Sequence, residues 1–402
     1  MLSVEEALTR VLAAFRPLET ERVGVLQALG RVLAEDICAD DDIPPYPNSS
    51  MDGYAVRAAD TRGADLQPPV QLRVLGNLPA GYTPDVAVAA GTALRIMTGA
   101  PIPMGADAVV PVEDTATTDG WVQVRAEARE GQYVRPAGED VRQGEHVLER
   151  GAIIGPAEVG MLATLGRSQV AVTRRPRVAI LATGDELVEI DAPLRPGKIR
   201  DANSYSNAAQ VAACGATPLL LGIARDRVDD LTEKLRHGLA TGIDLLLTSG
   251  GVSVGDFDVV KDVLAAEGEI GFWRVCMKPG KPLAFGRIGD VPVLGLPGNP
   301  VSVMVSFEVF ARPAIMMMLG ARHWQRPVVP AILMDAVRHK DERRHYVRAR
   351  VEMNEGEYRA YLTGEQGSGM LSSMVKANAL IIIPEDWREA RVGSQVQAML
   401  LR

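Results

Sequence analysis

A chain of 402 residues has room for about two to four domains at the usual ~100–200 residues each, and 47% hydrophobic with 23% charged residues is a globular composition. The 43 Lys and Arg against 51 Asp and Glu leave a formal charge of -8, and aromatics are only 4%, so the basic excess and stacking surface of a nucleic-acid binder are both missing. Three widely spaced cysteines, Cys38, Cys214 and Cys276, form neither a disulfide framework nor a zinc-type CxxC pair, and their apolar surroundings predict buried, reduced thiols.

In chain order, MLSVEEALTRVLAAF reads as an amphipathic helix capped by Ser3, with Glu6 three residues on. Its two glutamates stand where a signal peptide carries positive charge, so a cytoplasmic protein is expected. At DDDIPPYPNSSMDGYAVR the prolines Pro44, Pro45 and Pro47 break any helix, and short β-like runs separated by Gly, Pro and Asp follow. Residues 43–137 therefore read as an inserted β-rich domain. Residues 138–174 return to the style of the first 42, including GPAEVGMLATLG with Pro156 in a first helical turn. Residues 1–42 and 138–174 are expected to form one discontinuous N-terminal domain.

From 175 to 325, apolar runs of strand length alternate with helical segments (PRVAILATGDE, NSYSNAAQVAACG, ATPLLLGIARD, VDDLTEKLRHGL, IDLLLTSGG), the pattern of a doubly wound, mostly parallel α/β sheet. Asn203 or Ser204 is placed to cap the first helix, and Gly215 to end it. The apolar stretch from Val301 to Leu319 is interrupted by Glu308, Arg312 and Pro313, which reads as a core helix, not a membrane span. Residues 326–402 alternate in short strands and predict a compact C-terminal β-barrel.

The candidate site residues lie mostly on loops after strands. In IDLLLTSGGVSVGDFD an apolar run ends in Gly250, Gly251 and Ser253, followed by Asp258 and a helix, an order suited to a phosphate-bearing ligand. Glu186 and Asp226 follow two other strands, so in a parallel sheet three acids gather at one edge, where they can hold Mg2+ or move protons. KPGKP offers Lys278 and Lys281 as anion partners. LPGNP presents Pro297, Gly298 and Asn299 before Pro300 at a helix start, an anion cradle. Asp52 and Thr98 sit on turn-rich loops of the β domain. Arg343, Arg344 and Arg348 are either a solvated run or an anion clamp, and QGSGMLSSM, with Ser368 and Ser372, supplies further donors. His146, His237, His323, His339 and His345 are scattered, and no nucleophilic triad stands out.

SSMDGYAVR, RIMTGAPIPMGADAVV, ILATGDEL, SGGVSVGDFD, KPGKP, GLPGNPVS and QGSGMLSSMVKANALIIIP, in that order over nearly the whole chain, resemble the molybdopterin molybdenumtransferase family of MoeA and the gephyrin E-domain. The resemblance implies four domains: a molybdopterin-binding α/β domain, a discontinuous helical and extended domain, an inserted β-rich domain and a C-terminal β-barrel. It implies an elongated homodimer with its site between subunits. The implied reaction inserts molybdate into adenylylated molybdopterin and releases AMP with Mg2+.

Asp52 and Thr98 match loop residues on the metal side of that site, and Glu186, Asp226 and Asp258 its acids. Glu186 and Asp258 are then expected to help hold Mg2+ or water at the adenylate phosphate. Lys278, Lys281, Pro297 and Pro300 match the loops around the ligand. Arg348 and Ser372 match C-terminal positions, beside Arg343, Arg344, Ser368 and Ser373. A small-molecule pterin is then the binding partner, with molybdopterin adenylyltransferase and other cofactor-assembly proteins as candidate delivery partners and no membrane. A non-catalytic pterin-binding scaffold and an adenylyltransferase are the alternatives.

Overall fold

A computed structural model describes residues 1–66, 68–250, 262–263, 266–339 and 341–401. Gly251, Ser253 and Asp258 of the glycine-rich loop lie outside the described residues. The chain divides into two compact units. One comprises Met1–Glu35, Arg150–Val159 and Ser168–Arg402, and the other Asp36–Glu149 and Gly160–Arg167.

The centre of the first unit is a six-stranded sheet. Its strands run in the order Thr217–Ala224, Arg177–Thr183, Leu245–Ser249, Val291–Leu296, Pro282–Ile288 and Glu269–Arg274. The first four are parallel, and Pro282–Ile288 runs antiparallel to both of its neighbours. Because successive side chains of a strand face opposite ways, the unbroken apolar runs feed two cores. Val178, Ile180, Leu245, Leu247, Leu294 and Leu296 pack on one face with Val211 and Phe310. Ala179, Leu181, Leu246 and Val293 pack on the other with Leu231 and Leu235 of the helix Val228–Ala240. Burial on both faces is why these strands read as continuous hydrophobic stretches.

Helix punctuation follows the side-chain chemistry. Val4–Leu12 carries the Ser3–Glu6 capping box and buries Val4, Ala7 and Val11. Asn203–Ala213 is capped by neither Asn203 nor Ser204: the buried Asp201 sits before the first turn and its Oδ1 accepts the Ser204 N–H at 3.0 Å. A carboxylate three residues ahead reaches that donor, while Asn203 and Ser204 already lie inside the helix. Gly215 follows the helix at φ +87°. The helical run Pro300–Met318 is 83% buried, as a core helix is. It passes through a π turn at Phe307–Ala311 just before Pro313, whose missing N–H cannot continue an α-helical ladder. Glu308 inside this run pairs with Arg326 at 3.0 Å.

Five strands close the C-terminal barrel: Arg344–Asn354, Glu357–Leu362, Val328–Leu333, Gln395–Leu400 and Ala379–Ile383, the last pairing back with the first. A two-residue strand from the α/β region, Met277–Lys278, adds itself in parallel to Arg344–Asn354, with Lys278 opposite His345.

The second unit is built on a six-stranded sheet ordered Ala108–Pro111, Gly53–Val56, Thr92–Ile96, Val70–Leu78, Trp121–Val124 and Thr115–Thr118. Gly53 is required where it stands, since a β-carbon there would lie 2.1 Å from the Val110 carbonyl oxygen. The thiols depart from expectation. Cys38 is exposed and Cys214 and Cys276 are half-buried. Cys38 lies in a strand of only two residues, Ile37–Cys38, in which the neighbour Ile37 takes the inward position. Burial, with help from Glu308, still pushes the Cys214 thiol up to about 12.

Candidate functional site

At the carboxyl edge of the parallel strands the backbone itself brings loops together. Thr183 lies level with Ala224, and Ala182 with Ser249. Asp185 and Asp226, one after each of two neighbouring strands, exchange contacts: each accepts the other's backbone N–H at 3.3 Å. Glu186 is exposed beside them, its carboxylate folded back so far that a β-carbon on Gly184 would lie 2.5 Å from Oε2. Gly250, at φ +94°, abuts Thr183, whose carbonyl would stand 2.8 Å from an added β-carbon. The Gly250 N–H donates to the Leu296 carbonyl at 3.2 Å, and Gly298 packs against Gly250. Asn203 fixes the same loop through Nδ2, which donates to the Gly298 carbonyl at 2.8 Å.

The helix start at Pro300 is less open than the sequence suggests. Pro300 has no N–H, and the Val301 N–H donates to the Ser368 carbonyl at 3.0 Å. Pro297 is buried, whereas Gly298 and Asn299 are exposed. That hydrogen bond ties the helix start to the loop that carries Ser368, on the rim of a cavity of about 930 Å3.

Lys278, Lys281, Arg343, Arg348, Ser302 and Ser368 are among the residues that line this cavity, with Asp341 as its carboxylate. Lys278 and Lys281 reach it from the KPGKP turn, where Gly280 at φ +105° leaves room for Ser306 Oγ and the Met277 side chain. Arg348 is only 1% exposed, yet no acid pairs with it among the described residues. Its Nε donates to Ser373 Oγ and its Nη2 to the Gly367 carbonyl, each at 3.0 Å. Burial pulls the Arg348 guanidinium down to about 10, which leaves it charged at neutral pH. A buried charge without a counter-ion is costly, so an anionic ligand gains from the place.

Several candidates separate at this point. Of the three arginines, Arg343 and Arg348 line the cavity, while Arg344 turns away to Glu5 and Glu385. Ser368 lines it too, but Ser372 is exposed on the helix Leu371–Lys376, and its neighbour Ser373 supports Arg348 instead. His339, Asp341 and His345 also border the cavity, a role that their spacing in the sequence did not suggest.

In the second unit Asp52 and Thr98 meet. Asp52 Oδ1 accepts the Thr98 backbone N–H at 2.7 Å and its hydroxyl at 2.8 Å. These two bonds, the backbone one first, hold the exposed Asp52 carboxyl below the usual carboxylate range. Such a carboxylate stays ionised and fixed in direction.

Three sequence families match the chain end to end: the MoeA N-terminal region (domain I and II) over residues 2–166, a probable molybdopterin binding domain over 179–317, and the MoeA C-terminal region (domain IV) over 330–401. A Mycobacterium tuberculosis protein named molybdopterin molybdenumtransferase 2 is 41% identical over 99% of this chain and 99% of its own length. A Bacillus subtilis molybdopterin molybdenumtransferase is 37% identical over 100% of this chain and 94% of its own. The crystal structure of a molybdopterin biosynthesis moeA protein from Pyrococcus horikoshii superposes with a TM-score of 0.86 at 33% identity, covering 100% of both chains.

Proposed function

Because this chain belongs to the MoeA family of molybdopterin molybdenumtransferases, enzymes of molybdenum cofactor biosynthesis, we propose that it inserts molybdate into adenylylated molybdopterin with Mg2+-assisted release of AMP. The observation that carries the reading is Arg348: a buried guanidinium with no acid partner among the described residues, facing a cavity that also holds Lys278 and Lys281. Molybdate is a small dianion. Convergent donors of fixed direction suit it, and acids do not approach it without a cation between.

The residues then divide by charge. Arg348, Lys278, Lys281 and the Ser368 loop take the oxyanion. Gly250 and Gly298, packed together at the strand ends, let the pterin and its phosphate approach the backbone. The donor set at the acid edge fits Mg2+, a hard cation that takes carboxylate oxygen, since the Asp185 and Asp226 loops bring such oxygens together from two strand ends. Glu186 and Asp258 are the expected holders of this ion, and Asp226, beside Asp185 at the same edge, would add a further oxygen. When bound, it would neutralise charge on the adenylate phosphate. The lysines stabilise negative charge as AMP departs. Asp52 and Thr98 act on the metal side of the reaction, the threonine keeping the carboxylate ionised. We propose a cytoplasmic homodimer, with an adenylyltransferase as the partner that delivers the substrate.

The test is AMP release from molybdopterin adenylate with Mg2+, with and without molybdate. Molybdate-dependent release together with dithiolene-bound molybdenum is expected. Tight pterin binding without release would overturn the reading in favour of a scaffold, and ATP-dependent formation of the adenylate would overturn it in favour of an adenylyltransferase.

A further inference from the structure

Beside the start of the barrel strand Arg344–Asn354, three potential metal ligands stand together, one of them with an unpartnered nitrogen among the described residues. His339, Asp341 and His345 each offer one ligand atom, and the three atoms all lie within 4.8 Å of one another. His339 Nδ1 contacts the Asp341 backbone carbonyl at 2.9 Å. A carbonyl can only accept, so this contact places the proton on Nδ1 and leaves the lone pair on Nε2. That Nε2 is buried and has no partner among the described residues. A buried acceptor without a donor is a costly feature. A carbonyl on the far nitrogen is also the usual means of orienting a metal-binding imidazole.

His345 is 7% exposed, and its Nε2 donates to Asp341 Oδ1 at 2.9 Å. An ionised carboxylate only accepts, so in the metal-free chain this nitrogen carries the proton, which metal binding would release or shift to Nδ1. Two ligands on a tetrahedral ion with bonds of about 2.0–2.1 Å are separated by roughly 3.3 Å, so a small opening of that contact admits the ion. The two imidazoles lie face to face with centroids 3.9 Å apart and planes inclined by 26°. Two imidazolium cations would repel in that arrangement; two neutral rings, the form that binds metal, would not.

Asp341 is already in contact with cations, but they leave an oxygen to share. Arg343 Nη2 donates to Oδ2 at 2.9 Å and Lys278 reaches the same oxygen at 3.4 Å, whereas among the described residues Oδ1 receives only Arg343 Nε at 3.1 Å besides His345. A metal on Oδ1 would displace the Nε contact and keep the Nη2 contact, which then supports the ligating carboxylate from outside.

From this geometry we propose that His339 Nε2, His345 Nε2 and Asp341 Oδ1 form a binding site for one borderline divalent transition metal, Zn2+ being the best fit, with a water as fourth ligand. Two imidazoles and one carboxylate select against Mg2+, so this site is chemically separate from the acid edge of the α/β sheet. Its place is informative. Lys278 is opposite His345 in the strand register, so the ion would add positive charge to the wall of the anion cavity. The presence of Lys278 and Arg343 also opposes cation binding, and affinity is set by that balance.

Direct metal uptake by the chelator-treated full-length chain tests the site without any appeal to catalysis. Zn2+ titration by calorimetry is expected to give one site per chain, and Co2+ the visible absorption of a low-coordinate nitrogen-and-oxygen site. His339→Asn and His345→Gln are each expected to weaken Zn2+ by at least about tenfold with the melting temperature of the metal-free chain retained. Should the buried His345 variant fail to fold, the half-buried His339 variant carries the test alone. Absence of saturable uptake, unchanged affinity in His339→Asn, or displacement of Zn2+ by equimolar Mg2+ would overturn the assignment.

Discussion

Replacing Arg348 by methionine separates a binding role from a structural one. The substitution keeps most of the side-chain length and removes the charge. Two hydrogen bonds go with it, to Ser373 Oγ and to the Gly367 carbonyl. Leaving two acceptors without a donor costs on the order of 1–3 kcal/mol each if they stay dry. Both border a cavity that admits water, and Ser373 Oγ also donates to the Met370 carbonyl at 2.7 Å. Against that loss stands the relief of a buried, unpaired guanidinium, whose penalty is of similar or larger size. The two terms are opposed and of similar size, so the folding stability should change by less than either of them, by about 2 kcal/mol at most in either direction.

Anion affinity has no such compensation. A charge-assisted hydrogen bond contributes about 1.5–3 kcal/mol, so molybdate should bind about 10- to 150-fold more weakly. Calorimetric titration with molybdate, beside urea unfolding of the same variant, reads both quantities. A fall in stability of several kcal/mol with molybdate affinity unchanged would refute the reasoning and make Arg348 a structural residue.

Gly250→Ala should destabilise the fold by at least about 1 kcal/mol, because it adds a β-carbon 2.8 Å from the Thr183 carbonyl at φ +94°; a lower urea midpoint at unchanged slope would show it. Thr98→Val removes the hydroxyl bond that helps to depress Asp52, so NMR titration should find that carboxyl shifted up towards, without reaching, the ordinary value of about 3.9. The Asp341 carboxyl is pushed up by burial but held well below the usual range by the stronger pull of Arg343 and His345. A depressed acid contributes stability that is present above its unfolded value, about 3.9, and lost as pH falls through the lower folded value. Asp341→Asn should accordingly flatten the fall of stability below about pH 4. Burial, followed by the His339 and Lys278 charges, outweighs Asp341 and keeps the His345 imidazole below its ordinary value; stability from this group is present above about pH 6.5 and lost as pH falls. His345→Gln should remove that part of the acid slope in urea midpoints measured from pH 7 to 5.

The layered α/β core was legible because strands buried on both faces must be apolar throughout, as Leu245, Leu246 and Leu247 are. Pro300 at a helix start and the Ser3–Glu6 box were legible because each rests on contacts within a few residues. The cap of Asn203–Ala213 was misplaced by two or three residues, since Ala202 between Asp201 and the helix hides which polar side chain has the reach. Lys278, Lys281 and Arg348 could be named one by one as anion partners. Their meeting depends on Met277–Lys278 pairing with a strand more than sixty residues away, a long-range register that no local pattern encodes. The same pairing and the turn before Arg344 gather His339, Asp341 and His345; two of five histidines spread along the chain read as scatter, because a turn, not a regular element, brings them to one acid.

The graft of Met277–Lys278 onto the barrel also bears on how the molecule can be taken apart. A barrel cut out at residue 326 would lose the neighbour of Arg344 and His345 and expose an edge that the intact chain covers. It would thus be prone to self-association, and would lack one wall of its own cavity. The two-residue strand is a seam in which Lys278 belongs to one part of the unit and Arg348 to the other. A slip of two residues along it would move Lys278 relative to Arg348 by about 6–7 Å. The spacing of these two cations is thus set by strand register, and an engineer who transplants this barrel must transplant the seam with it.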